Sequence, residues 1–409
     1  VGVKDIISAT ADDIRSMRVR GAGRIARAGA NALADYAESY QGSDLGSFRE
    51  DISKAADILL GSRPTAVSLW NGVHATIRDV DSASDLAGAR QSVIDNGRRF
   101  AEDSEKAVEA IAKFGAKRIK DGDVLMTHCN SSAAIGVIAE AIRQGKDVKV
   151  YATESRPWRQ GILTVRDLKN AGAEDVTLII DSAVRTVMQK VDRVFVGADT
   201  VTSSGTLINK IGTSQVAMAA AEARAEFNVC AETYKFSPKT LFGDAVTIEE
   251  RDIGEIVRPG EIPEGVKVFN PVFDTTPAKY IDNIITEIGI MSPGSVYGVM
   301  AEQLGGALRK QRCRQRRNDR SIKRCQNGIL QILQLSRPRG RTRPRRVCVR
   351  DLPCDHGPPD GEGGRSSGRR AVDRDLDGAV HPQRRRLREI RRQGDLHRGG
   401  QDRHRLPRG

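Results

Sequence analysis

From Asp121 onward the chain alternates short apolar runs with longer stretches of helical period, and no other feature constrains its fold as tightly. Runs at 124–126, 148–152, 176–180, 194–196 and 228–231 read as strands, and 135–144 and 215–226 read as crossover helices between them. Apolar strands with little polar alternation are covered on both faces, so the pattern predicts a parallel, Rossmann-like sheet. In such sheets, sites form beyond the carboxyl ends of the strands. Cys129 follows the first run and Asp199 the fourth, so a thiol and a carboxylate are expected at one sheet edge.

Before that point the spacing changes. Ile25, Gly29, Leu33, Tyr36 and Tyr40 recur at helical steps, Val108, Ile111 and Ala112 repeat the pattern before Gly115, and β-branched runs are scarce. The fold expected is α/β: an all-helical N-terminal domain over 1–115, then a Rossmann-like parallel-sheet domain over 116–308. Residues 309–409 are a different language. The whole chain carries +13, yet residues 306–409 hold 30 Lys+Arg against 11 Asp+Glu, leaving 36 against 42 in the first 305 residues. The last of the 17 aromatic residues is Tyr297, and without aromatics a segment buries too little apolar surface to offset its ordering entropy. Disorder is expected there, from a wrongly framed translation first and a basic nucleic-acid arm second. A zinc module is disfavoured because Cys313, Cys325, Cys348, Cys354 and His356 lack a paired short Cys spacing.

Cys129 and Cys230 are too few for a disulfide framework in the first 305 residues. No apolar run approaches the roughly 20 residues that span a bilayer, and the charged start lacks a signal-peptide core. A cytoplasmic protein with no membrane partner is expected.

Arg20-Gly-Ala-Gly23 followed by Ala26 matches a dinucleotide fingerprint by letter, but the preceding residues are charged and helix-like where the fingerprint needs a strand. NAD binding is therefore not expected. The segment reads as a break between helices, or as a turn that lets backbone amides and Arg20 approach a phosphate. Cys129 reads either as a buried structural thiol or, just before a helix capped by Asn130, Ser131 or Ser132, as a thiol whose pKa the helix dipole lowers. His128 is assigned no role. Asp199 reads as a loop carboxylate or an acid/base group, and Lys210 and Lys235 as surface residues or phosphate partners.

These residues and several longer blocks, Ser62-Arg-Pro-Thr-Ala-Val-Ser68, Thr127-His-Cys129, Thr153-Glu-Ser-Arg-Pro157, Gly197-Ala-Asp199, Asn209-Lys-Ile-Gly-Thr213, Ala231-Glu-Thr-Tyr-Lys-Phe236 and Asn270-Pro-Val-Phe-Asp274, resemble a known group. It contains the archaeal ribose-1,5-bisphosphate isomerases, the methylthioribose-1-phosphate isomerases and the alpha, beta and delta subunits of the eukaryotic initiation-factor-two exchange factor. The resemblance runs from about residue 3 to about residue 309, and residues 310–409 have no counterpart in it.

The resemblance implies an aldose–ketose isomerase acting on a phosphorylated sugar, with Cys129 as proton acceptor and Asp199 as proton donor. It places phosphate and sugar contacts on Arg20, Gly21, Ala22, Gly23, Arg63, Ser131, Ser132, Ala133, Asn209, Lys210 and Lys235. The group carries a basic residue where this chain has Ser132. It implies no metal and no redox cofactor, and a homo-oligomer built from dimers, up to a hexamer. Ribose 1,5-bisphosphate, from nucleoside-monophosphate breakdown such as that of AMP, is the first substrate expected. Methylthioribose 1-phosphate would need an apolar wall where Arg63 stands. A non-catalytic exchange-factor-like subunit is disfavoured because both Cys129 and Asp199 are kept.

Overall fold

The computed structural model describes residues 3–302. The expectations for 309–409 lie outside the described residues. Five helices come first: α1 (Val3–Arg15), α2 (Ala22–Glu38), α3 (Leu45–Ser62), α4 (Val67–Ile77) and α5 (Leu86–Ala116). Asp44 and Asp85 cap α3 and α5 by accepting the amide hydrogens of Ser47 and Gly88, which satisfies otherwise orphaned donors. The apolar face foreseen in α2 is the buried one: Ile25, Gly29, Leu33 and Tyr36 join Leu59, Leu69, Val73 and Val93 in a helical core. Two glycines let these helices approach. A Cβ at Gly29 would stand 2.7 Å from Leu69, and one at Gly97 would stand 2.7 Å from the carbonyl oxygen of Ala30.

The second part alternates β1 (Val124–His128), α6 (Ser132–Arg143), β2 (Lys149–Thr153), α7 (Gly161–Asn170), β3 (Asp175–Ile179), α8 (Val184–Met188) and β4 (Arg193–Val196). There follow β5 (Thr200–Val201), β6 (Leu207–Lys210), α9 (Thr213–Ala223), β7 (Glu226–Cys230), β8 (Phe273–Thr276), β9 (Asn283–Thr286) and β10 (Gly289–Met291). Seven strands form the main sheet in the order β10-β9-β7-β4-β1-β2-β3, parallel except for β10. The chain leaves β1 toward β2 and β3 and then returns to β4 on the other side, so the direction of winding reverses between β1 and β4. That reversal opens the crevice in which ligands bind.

Three details differ from the sequence reading. The helix expected to reach Glu226 stops at Ala223, because Arg224 turns into the left-handed region (φ 58°) and Glu226 already pairs with Arg193 in the sheet. A second, antiparallel sheet, β5-β6-β8, stands beside the first and was not foreseen, nor was the β9-β10 hairpin. The cores on the two faces of the main sheet are otherwise those the apolar runs imply, with Val194, Val196, Phe227 and Val229 on one side and Leu125, Val150, Phe195 and Cys230 on the other. At the opposite, N-terminal end of the strands, Arg193 is held between Asp123 (2.8 Å) and Glu226. Among the described residues no helix is long and apolar enough to cross a membrane.

Candidate active site

β1 and β4 are neighbours in register, His128 opposite Val196, so the residues that leave them stand side by side. Cys129 and Asp199 line one cleft of about 1120 Å³, part of it open solvent, between the sheet edge and the N-terminus of α2. Arg20, Gly21, Ala22, Gly23, Arg63, Ser131, Ser132, Asn209, Lys210 and Lys235 line it too. Ala133 does not. Its side chain is buried in the core beneath α6, one residue past the exposed Ser132.

The Arg20–Gly23 segment follows α1 rather than a strand, which removes the geometry a dinucleotide would need. Gly21, at φ 91°, turns the chain into α2, whose first turn has no side-chain cap and lines the cleft. A helix start of this kind is a ready anion site. Ser131 caps α6 through the Ala134 amide. Lys210 stacks over the Phe273 ring at 5.2 Å, and Asn209 donates to Thr213 at 3.0 Å. Lys235 pairs with Glu232 at 2.6 Å, both side chains being buried, and the Tyr234 hydroxyl donates to the other Glu232 oxygen.

Arg63 is not a bare cation. Glu249 stands between Arg63 (3.3 Å) and Arg251 (3.0 Å), and Thr65 donates to the same carboxylate. Glu249 and Arg251 reach the site from a loop that shows no periodicity, so spacing gave no sign of them. Met17, Gln160 and Phe273 also line the cleft, and the sequence reading assigned them no role.

The backbone of Cys129 lies in the left-handed region (φ 67°), which costs a non-glycine residue about 1–3 kcal/mol. It is held there on three sides. Its amide donates to the Ser155 hydroxyl (2.8 Å), its carbonyl accepts from Thr164 (2.6 Å), and its thiol donates to Gln160 Oε1 (3.4 Å). The expectation of a dipole-lowered thiol is overturned. Burial pushes the Cys129 thiol up to about 11, against the pull of Lys210, its strongest opposing neighbour. Cys129 is half-buried where it lines the cleft and α6 begins three residues later, so desolvation outweighs the helix end. Burial also holds the Asp199 carboxyl above the usual carboxylate range, although Lys210, Lys235 and Arg63 draw it down. The free cleft therefore favours a neutral thiol, and the carboxyl keeps its proton to a higher pH than an exposed aspartate. His128, buried behind Cys129, is held neutral chiefly by desolvation. Among the described residues no group of three or more His, Cys, Asp or Glu side chains could hold a metal ion.

A thiol, a carboxyl whose pKa burial raises, several lysine and arginine side chains and an uncapped helix start suit proton transfer on an anionic, phosphate-bearing molecule. Comparison with known proteins agrees in scale. A ribose 1,5-bisphosphate isomerase of Archaeoglobus fulgidus is 56% identical over 297 residues, 73% of this chain and 93% of that protein. Another from Methanocaldococcus jannaschii is 47% identical over 301 residues, 74% of this chain and 96% of its own. A solved structure of the Pyrococcus horikoshii translation initiation factor eIF-2B superposes with a TM-score of 0.61 at 31% identity, covering 70% of this chain and 97% of that one. The pattern that defines the initiation factor 2 subunit family matches residues 18–293, and the chain belongs to that family.

Proposed function

We propose that the chain isomerises ribose 1,5-bisphosphate to ribulose 1,5-bisphosphate, with Cys129 and Asp199 moving the protons. The observation that carries this reading is their placement beyond adjacent strands, in one cleft with Arg20, Lys210 and Lys235. The names of the relatives at 56% and 47% identity supply the substrate.

The chemistry balances on these two groups alone. Asp199 in its acid form gives a proton to the ring oxygen as the bond from that oxygen to C1 breaks. The Cys129 thiolate takes the proton from C2, leaving an enol between C1 and C2. The thiol then returns that proton to C1 while the Asp199 carboxylate takes the proton of the C2 hydroxyl, so a ketone forms at C2 and both groups are restored. Burial makes the thiolate scarce but strongly basic, which suits abstraction from a weakly acidic carbon, and Lys210 is the neighbour that most favours its formation. Charge-assisted contacts from Arg20, Lys210, Lys235 and the start of α2 hold the phosphates. Arg63 would join them by exchanging Glu249 for a phosphate.

On this reading the substrate comes from nucleoside-monophosphate breakdown, and the chain works in the cytoplasm as a homo-oligomer. The test is incubation of the purified chain with ribose 1,5-bisphosphate and, in parallel, methylthioribose 1-phosphate, with chromatographic measurement of each ketose. Ribulose 1,5-bisphosphate is the expected product. Turnover of the methylthio sugar alone would move the assignment to methionine salvage, and turnover of neither would favour a binding role like that named for the solved initiation factor.

A further inference from the structure

We propose that His128 is a positioning residue, which through Thr153 and Ser155 fixes the backbone of Cys129 and ties it to the Lys210 loop. This rests on the isomerase reading for its kinetic consequence but not for its geometry.

The argument follows hydrogens. His128 Nε2 lies 2.9 Å from the carbonyl oxygen of Ile211, which only accepts, so Nε2 carries the hydrogen. In the neutral ring Nδ1 then has a free lone pair, and it accepts from the Thr153 hydroxyl at 2.6 Å. With its hydrogen so used, Thr153 Oγ1 accepts from the Ser155 hydroxyl at 3.1 Å. Ser155 Oγ in turn accepts the Cys129 amide hydrogen at 2.8 Å. With the ring neutral, the Thr153 hydroxyl has one direction, set by a carbonyl that only accepts; the Ser155 hydroxyl, also 3.5 Å from the Thr153 carbonyl oxygen and from His128 Nδ1, donates toward this cluster while its oxygen accepts from Cys129. His128, Thr153 and Ser155 are all buried.

Both ends of this relay are anchored. Ser155, like Cys129, lies in the left-handed region (φ 59°), and Asp181 holds it by accepting the amides of Ser155 and Arg156, each at 2.8 Å. At the other end, Asp274 accepts the amides of Gly212 (2.8 Å) and Ser214 (3.0 Å), fixing the turn that follows Lys210 and Ile211. Gly212 lies flat against the imidazole, where a Cβ would stand 3.0 Å from Cε1. The ring thus spans from the main sheet to the strand that carries Lys210. If its acceptor role is lost, the hold on the Cys129 amide loosens while those on its carbonyl and thiol remain, and the sulphur shifts from the position from which it reaches C2.

Thr153→Val keeps the volume and removes the hydroxyl; Thr153→Ser keeps the hydroxyl. With ribose 1,5-bisphosphate, Thr153→Val is expected to lower kcat by about tenfold or more while KM changes less than about twofold, since misplacement of a reacting group acts on the chemical step. Thr153→Ser should recover most of the rate, and His128→Gln, whose amide nitrogen can take the place of Nε2 toward Ile211 but which has no acceptor in the place of Nδ1, should share the loss. A Thr153→Val kcat within about twofold of the unaltered chain would overturn the proposal. A readout independent of folding of the variants is nitrogen-15 resonance of the His128 ring in the unaltered chain at pH 7. The Nε2–H tautomer is expected, and an Nδ1–H tautomer or an imidazolium would overturn the relay. If the unaltered chain turns over no ribose 1,5-bisphosphate, the proposed function fails, while the ring tautomer and the rate of Cys129 alkylation in Thr153→Val, expected to rise, still decide the relay.

Discussion

Replacing the Cys129 sulphur by oxygen keeps the size of the side chain and removes the base, so Cys129→Ser is expected to cut kcat by roughly a hundred- to ten-thousand-fold with little change in substrate affinity. Asp199→Asn should do the same by removing a proton donor of equal shape. Steady-state rates and calorimetric affinities check both, and a near-normal rate for either variant removes that residue from the mechanism. The thiol makes a second, substrate-free prediction. A raised pKa delays ionisation, so alkylation of Cys129 by iodoacetamide, mapped by mass spectrometry, should keep climbing from pH 7 toward its value of about 11. A plateau near the ordinary thiol value, about 8.5, would contradict burial as the dominant influence. Because Lys210 is the main opposing charge, Lys210→Met should slow alkylation at pH 8.

Helix contact in this fold depends on missing side chains as much as on present ones. At Gly97 in α5 an added methyl would meet the backbone of α2, which cannot swing aside as a side chain could. Gly97→Ala therefore sets a gain in helix propensity of up to about 1 kcal/mol against overpacking of about 1–3 kcal/mol, and net destabilisation is expected in urea unfolding. The elements differ in how plainly the sequence announces them. β1, β2, β4 and β7 are legible because strands covered on both faces are nearly all apolar. The β5-β6-β8 sheet is not, since β5 has two residues and Asn209, Lys210, Asp274 and Thr275 break any apolar run. The site shows the same division. Cys129 and Asp199 stand where chain direction alone places strand ends, whereas Glu249, Gln160 and the hydrogen-bonded Thr153 and Ser155 gain meaning only from partners distant in sequence. The raised pKa of Cys129 is hidden for a related reason: a helix start is visible in sequence, but the surroundings that desolvate the thiol are not.

All side chains of the proposed mechanism lie within residues 20–249, and the family pattern ends at residue 293. A chain ending at Leu308 is therefore expected to isomerise its substrate as fast as the full chain while losing a segment of strongly basic sequence. If that segment is a nucleic-acid arm, the full chain alone should bind RNA or DNA, with an affinity that falls steeply as salt rises. Loss of isomerase activity in the shorter chain would refute the independence of the two.

One helix governs the gauge of the cleft. α5 runs unbroken for 31 residues, about 46 Å at 1.5 Å per residue, and packs against α2 and α4 as well as α6 and β9. Its neighbours carry the two jaws, Gly21 to Gly23 at the start of α2 and Cys129 to Ser131 before α6. With both jaws bolted to one rod, the opening between them is built as a caliper, and on the proposed function it would select a sugar by the span between its anionic end and its reacting carbon.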